Sequence, residues 1–339
     1  MTAEPDILSV APPQLAEDQA RALLASHWGM QVPALQALSS ERDCNFRVDG
    51  PEGRFVLKLA NPAEPRAVTR LQTEALLHVQ HTAPQLPVPR VIPTLQGAAE
   101  ASHAGAALRL LSWLDGQPLS EAPRSPAQRA AIAGTHAGLV QALADFRYDA
   151  AKPHLQWDIQ HALALRTHFP AVEESLRELC VQALSRFAEH ASPGLAGLRR
   201  QFGHCDLNPF NILVKPDAPA RVAGFLDFGD MVETPLACDV AIAAAYQISG
   251  DGPAWQLVAE YVRAFHAILP LAPAEIAILP ELVMARLVTT ITITSWRAQR
   301  YPANRDYILR NQPAARAGLL RLLAIPRAEA VELLMEACR

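Results

Sequence analysis

Three residues of this 339-residue chain have the types and spacing of a phosphoryl-transfer site. Asp206 and Asn211 stand five apart in Gly203-His204-Cys205-Asp206-Leu207-Asn208-Pro209-Phe210-Asn211, and Asp227 follows sixteen residues later in Leu226-Asp227-Phe228-Gly229. Moving a phosphoryl group onto a hydroxyl needs a carboxylate beside the attacking oxygen. It also needs an amide and a second carboxylate to hold magnesium against the nucleotide phosphates. Asp206 suits the first role, and Asn211 and Asp227 suit the other two. The plainer use of both aspartates is structural, as a helix cap and a turn residue. That use does not account for their order around two strand-like runs, 211–214 and 221–226.

Asp, four residues, Asn and then Asp-Phe-Gly is the protein-kinase order, but His204-Cys205-Asp206 stands in place of His-Arg-Asp. The segment resembles the aminoglycoside phosphotransferase and choline kinase-like family of small-molecule kinases. The resemblance implies an α+β, protein-kinase-like two-lobe fold with a small β-rich N-lobe and a mainly helical C-lobe. It also implies Mg2+, ATP or GTP as phosphoryl donor, and a small-molecule hydroxyl as acceptor. Cys205 stands where the family most often has Gly. By the same resemblance Asp239 steadies the catalytic loop, and His204 is expected to be structural, bonded to nearby backbone.

The surrounding pattern supplies elements to hold these residues. Residues 15–28 have helical spacing and end at Gly29, a natural helix terminator. Strand-like runs follow at 35–38, 45–49 and 54–59, the last two joined by the turn signal Gly50-Pro51-Glu52-Gly53. A helical stretch, 68–81, precedes further strands at 87–93 and 107–112. Residues 1–14 are expected to be a flexible N-terminus, 15–112 the N-lobe, 113–116 a hinge, and 117–339 the C-lobe. In the C-lobe, helical patterns cover 126–146, 157–168, 172–190, 235–248, 254–269, 273–300 and 313–338, with a break near Pro326.

Lys58 lies on the third strand-like run and Glu74 on the next helix. In kinases such a lysine bridges the nucleotide phosphates and the glutamate holds it. No Gly-x-Gly-x-x-Gly precedes Lys58; the run from Ser39 to Phe46 takes that place, offering Ser40 and Asn45 to phosphate oxygens. Arg42 in the same run reads equally as a surface charge. The nucleotide base is expected against linker backbone near Trp113.

Outside the motif, Ser40-Glu41-Arg42-Asp43-Cys44-Asn45-Phe46, Phe55-Val56-Leu57-Lys58-Leu59-Ala60-Asn61-Pro62 and Leu114-Asp115-Gly116-Gln117-Pro118-Leu119 are similar to the hydroxylysine kinase branch. That similarity implies phosphorylation of an amino-acid side-chain hydroxyl, with GTP the typical donor in the branch. An acceptor bearing ammonium groups wants carboxylates and an aromatic face, for which Trp157, Asp158, Asp230 and Glu233 are candidates. Arg286 or Arg297 could meet an α-carboxylate, while capping and solvated surface charge are the plainer uses. Other acceptors (an aminoglycoside, choline, ethanolamine or homoserine) stay open, as does a catalytically inactive nucleotide-binding scaffold.

Composition narrows the class. The net charge of −4, without a Lys/Arg block, gives no nucleic-acid footprint. Five scattered cysteines have no metal-type spacing and read as reduced thiols in a cytoplasmic protein. Residues 1–13 do not read as a signal peptide, and charge or Pro interrupts every long apolar run, so no membrane span is expected. Oligomeric state has no signature in the sequence.

Overall fold

The computed structural model describes residues 10–40, 42–150, 155–249 and 252–339. Most of the expected flexible N-terminus, and Glu41 of the phosphate-loop run, therefore lie outside the described residues. Chain contacts divide the protein into two compact units. The first comprises the described residues of Met1–Asp115, Arg147–Lys152 and Gly224–Gly229; the second comprises those of Gly116–Phe146, Pro153–Ala223 and Asp230–Arg339. The first unit thus takes in two short later segments, one of which carries Asp227.

The first unit begins with α1 (Glu17–Trp28), whose Ala16 N–H is capped by the Gln19 side chain at 3.2 Å and which stops at Gly29. Then come β1 (Ala34–Leu38), β2 (Cys44–Gly50), β3 (Gly53–Leu59), α2 (Arg66–Thr82), β4 (Val91–Ile92), β5 (Ala101–His103) and β6 (Ala106–Ser112). The strands pair antiparallel in the order β1-β2-β3-β6-β4, with β5 also on β6. Alternation puts Phe46 and Val48 of β2 and Phe55, Leu57 and Leu59 of β3 on one face. There they pack with Leu24 and Trp28 of α1 and with Leu108 and Leu110 of β6. The expected strand at 87–93 shrinks to two residues, and β5 was not expected.

The second unit holds β7 (Gln117–Pro118), α3 (Pro126–Ala142), a run of 3-10 turns (Ile159–Ala171), α4 (Glu174–Arg186), β8 (Arg200–Gly203), β9 (Ile212–Lys215) and all but the last two residues of β10 (Ala218–Phe225). It continues with β11 (Val232–Pro235), α5 (Leu236–Ala245), α6 (Ala254–His266), α7 (Pro273–Arg300), α8 (Arg305–Leu309), α9 (Gln312–Leu323) and α10 (Arg327–Ala337). Two small ribbons, β7-β9-β10 and β8-β11, frame the segment carrying Asp206 and Asn211. The expected helix at 157–168 is instead a broken string of tight turns starting at Asp158 and containing Pro170.

Helix α7 is 28 residues long and, by length and composition alone, apolar enough to cross a membrane, contrary to the expectation from its charges and prolines. Of its most apolar window, however, 94% is buried inside the chain. A helix that is apolar all round and covered by protein is a core helix. Any charge it carries inward must therefore find a partner.

Candidate active site

The loop carrying Asp206 leaves β8 at Gly203, and the residue there has to be glycine. A Cβ at this position would come within 2.8 Å of the Asp239 carboxylate. That close approach lets Asp239, in the first turn of α5, accept the backbone N–H of Cys205 on Oδ1 at 2.8 Å and that of His204 on Oδ2 at 3.3 Å. Behind it, His136 of α3 bonds Oδ2 through Nε2 at 3.0 Å and the Tyr261 hydroxyl of α6 through Nδ1 at 2.6 Å. All three side chains are buried. Asp239 therefore steadies the loop.

Burial pushes the Asp239 carboxyl up, but the His136 ring and the N–H groups it accepts outweigh this and leave it below the usual carboxylate value. Its contribution to stability is thus present above the ordinary Asp pKa and is lost as pH falls through the lower folded value. Asp239→Asn removes that contribution at neutral pH and leaves His136 with a weaker partner. The expected loss is about 3 kcal/mol, by analogy with broken buried pairs, and denaturant unfolding at pH 7 measures it.

Cys205 is 4% exposed and sits at φ 60, in the left-handed region that disfavours a side chain. A glycine would meet no such penalty there. Cys205→Gly relieves the strain but removes a small buried side chain, so we expect stability within about 1 kcal/mol of the parent and retained activity. Cys205→Val adds a β-branched residue at positive φ and costs roughly 2 kcal/mol or more; thermal unfolding of the pair is the check. Burial and the neighbouring carboxylates Asp239 and Asp158 push the Cys205 thiol well up, so it is no nucleophile.

Next in the loop, Asp206 is held by three side-chain donors. Arg286 of α7 donates from Nη2 to Oδ1 at 2.7 Å, while Asn208 and Asn211 donate to Oδ2 at 2.9 and 2.7 Å. The Asp206 N–H is accepted by His204 Nδ1 at 3.2 Å, which makes His204 a buried strut of the loop. Arg286 is 2% exposed and lies between the Trp157 and Tyr246 rings, 5.4 and 5.3 Å from their centroids, with its Nε donating to the Tyr246 hydroxyl at 3.2 Å. Burial disfavours its charge, but Tyr246, Asp206 and Asp230 outweigh this, and the guanidinium stays above its ordinary pKa. Its Nη1 is buried without a hydrogen-bond partner.

The second unit therefore brings together Asp206, Asn211, Trp157, Asp230 and Arg286. Asp158 belongs elsewhere: it is 5% exposed, caps the 3-10 run through the Gln160 N–H at 3.1 Å and accepts Thr234 Oγ1 at 3.4 Å. Glu233 is exposed on β11, where its backbone carbonyl, not its carboxylate, takes the Arg200 side chain. Arg297 follows Arg286 by eleven residues on α7, about 16 Å along the axis, too far for both to grip one small carboxylate. Asn208 and Tyr246 were not anticipated; Asn208 lay in plain view two residues after Asp206.

In the first unit, Lys58 on β3 places Nζ 3.0 Å from Asp43 Oδ2 and 3.5 Å from Asp227 Oδ1. The expected Lys58–Glu74 pair does not form, because Glu74 is exposed on α2. Asp227 is at φ 57, a backbone region Asp tolerates better than most residues, and its Oδ1 accepts the Gly229 N–H at 3.2 Å. A side chain at Gly229 would run into the Arg42 guanidinium, so Arg42 is packed on Asp-Phe-Gly rather than standing free on the surface. Ser40 Oγ accepts the Asp43 N–H at 3.2 Å, and Asn45 Oδ1 is buried without a hydrogen-bond partner. The Trp113 N–H is already given to the Arg54 carbonyl at 2.9 Å, and its ring lies under Arg47 at 5.2 Å. That N–H is thus not open to a nucleotide base.

Two groups suit magnesium by their chemistry. In the second unit Asn211 spends its amide N–H on Asp206 and presents Oδ1 as an acceptor; in the first, Asp227 carries a carboxylate of the kind magnesium takes. Among the described residues no cluster of three or more His, Cys, Asp or Glu could cage a metal. Few protein oxygens, with phosphates supplying others, is the usual way magnesium is held in kinases.

The family model described as the phosphotransferase enzyme family (APH) matches residues 34–279. Hydroxylysine kinase from Mus musculus is 27% identical over 329 residues, covering 88% of this chain and 87% of that protein. A microcompartment-associated aminopropanol kinase superposes with a TM-score of 0.68 at 17% identity, covering 93% of this chain and 98% of the other. Amicoumacin kinase hAmiN, solved with AMP-PNP, Ca2+ and Ami, gives 0.66 at 14%, covering 88% and 95%. At these identities the solved structures show the fold, which is α+β and protein-kinase-like. The match over residues 34–279 settles the family: the chain belongs to the APH phosphotransferase enzyme family and is a small-molecule phosphotransferase.

Proposed function

We propose that the chain transfers the γ-phosphoryl group of ATP or GTP to the side-chain hydroxyl of a small hydroxy-amino acid, 5-hydroxylysine foremost. The observation that carries this reading is the Asp206 cluster, a carboxylate fixed by Arg286, Asn208 and Asn211, with the Trp157 ring against Arg286. Similarity to hydroxylysine kinase over 88% of the chain supports the choice of acceptor.

In this reading Asp206 orients the acceptor hydroxyl and takes its proton as the oxygen bonds to γ-phosphorus. The bond from that phosphorus to the bridging oxygen breaks, and the nucleoside diphosphate leaves. Asn211 Oδ1 and the Asp227 carboxylate are the groups that would hold magnesium, which would supply charge neutralisation at the phosphates. Lys58 steadies the phosphates, with Ser40 and Asn45 of the phosphate loop. Arg286 offers its Nη1 to the acceptor's α-carboxylate, and Trp157 with Asp230 faces its ammonium groups. Rate enhancement then comes chiefly from positioning and charge stabilisation.

The test is a transfer assay with MgATP and MgGTP against 5-hydroxylysine, its decarboxylated counterpart, aminopropanol, choline, homoserine and an aminoglycoside. The expected result is 5-hydroxylysine as best acceptor, its kcat/KM at least about tenfold above that of the decarboxylated form, the worth of one charge-assisted contact. Turnover of another alcohol with none of hydroxylysine rejects the narrow reading.

A further inference from the structure

The lysine of the first unit has changed partners, and the strand register shows why. Lys58 of β3 stands directly opposite Arg109 of β6. Opposed residues of an antiparallel pair share a face, and like charges so placed repel. Arg109, 2% exposed, takes the side of α2 that a lysine-holding glutamate would use. It donates to Gln72 Oε1 at 3.0 Å, and to the Thr69 carbonyl and Thr73 Oγ1 at 3.5 Å each. Glu74, about 100° further round the helix than Thr73, points to solvent.

The repulsion is met from the other direction. Asp43, in the loop between β1 and β2, has an 11% exposed side chain with Oδ2 on Lys58 Nζ at 3.0 Å. Its Oδ1 accepts the Asn61 N–H at 3.2 Å, while Asn61, 1% exposed, bonds the Arg42 carbonyl through Nδ2 at 3.1 Å. Asn61 thus ties the end of β3 to the loop and aims the Asp43 carboxylate at the lysine.

We propose that Asp43, not Glu74, is the positioning residue for Lys58, so that the phosphate loop itself sets the lysine that meets the nucleotide. The inference rests on the kinase reading for its function, but the pair can be tested apart from it. Placement of Lys58 then depends on the loop being seated, and nucleotide binding and loop order rise and fall together.

Calorimetric titration with MgATP and MgGTP should show Asp43→Asn weakening affinity by about 10- to 100-fold, the range for losing a hydrogen bond between charged groups. Asp43→Glu should recover part of that loss. Glu74→Gln should stay within about twofold of the parent, and the nucleotide KM of Asp43→Asn should rise more than its kcat falls. Equal or larger losses in Glu74→Gln overturn the proposal. A double-mutant cycle in chemical unfolding, D43N with K58M, reads the pair without any ligand. Non-additivity there supports the pair, and additivity overturns it. A parent protein that binds neither nucleotide would instead sink the kinase reading, and the unfolding cycle would still decide the pairing.

Discussion

Asp206→Asn is expected to lower kcat by about two to four orders of magnitude while Mg-nucleotide still binds, since a positioned base contributes about that much. Asparagine is the cleaner probe than alanine. Asp206→Ala should lose turnover in the same range, but it also leaves Arg286, 2% exposed, without its carboxylate. Removing one partner of a buried ion pair costs about 3–5 kcal/mol. An asparagine keeps the shape and one oxygen for the Arg286 Nη2, so a loss of rate can be read apart from a loss of fold. Steady-state kinetics with calorimetry on the same preparation separate the two. Near-parental turnover in Asp206→Asn would remove Asp206 from the chemistry.

Asp227→Ala is expected to act on the other substrate. Its side chain is 45% exposed, and Lys58 keeps Asp43 at 3.0 Å when Asp227 is gone, so the fold should tolerate the change. On the proposed reading, what is lost is a metal ligand. Nucleotide affinity in the presence of magnesium should fall by more than about 100-fold, beyond the range for disturbing groups that only support a ligand. The difference between titrations with and without magnesium should vanish. Unchanged magnesium dependence would place the metal elsewhere.

Legibility in the sequence followed distance along the chain. Local signals were read well: α1 stops at Gly29 and α7 runs from Pro273 to Arg300, because caps and helix-compatible prolines act within a few residues. The pairing of β8 with β11 had no local trace, since each strand has four residues and the partners lie about thirty apart. The ordering of Asp206, Asn211 and Asp227 was visible, yet what fixes Asp206 was not. Arg286 is 80 residues away, and His136 meets Asp239 across 103. Arg286 was singled out only as a cation for a carboxylate ligand; the structure places it on the Asp206 carboxylate.

The misassigned partner of Lys58 is the most instructive case. A helix glutamate sixteen residues on is the usual kinase arrangement, and Glu74 sits at that spacing. Nothing local shows that Arg109 will lie opposite Lys58 and fill the helix face first. Asp43 was within the quoted loop run, but its role depends on a β-sheet register that a single sequence does not display. Asp158 and Glu233 take structural positions in capping and at the surface, common uses of carboxylates near a motif.

The activity we propose for this chain is transfer of a phosphoryl group onto a carbon-bound hydroxyl. The most direct measurement is phosphorus NMR of parent and Asp206→Asn proteins incubated with MgATP or MgGTP and 5-hydroxylysine. The expected spectra show a phosphomonoester resonance growing with nucleoside diphosphate in the parent and none on the same timescale in the variant. Nucleotide bound tightly by the parent, with no phosphomonoester from hydroxylysine or any other small alcohol, would contradict it.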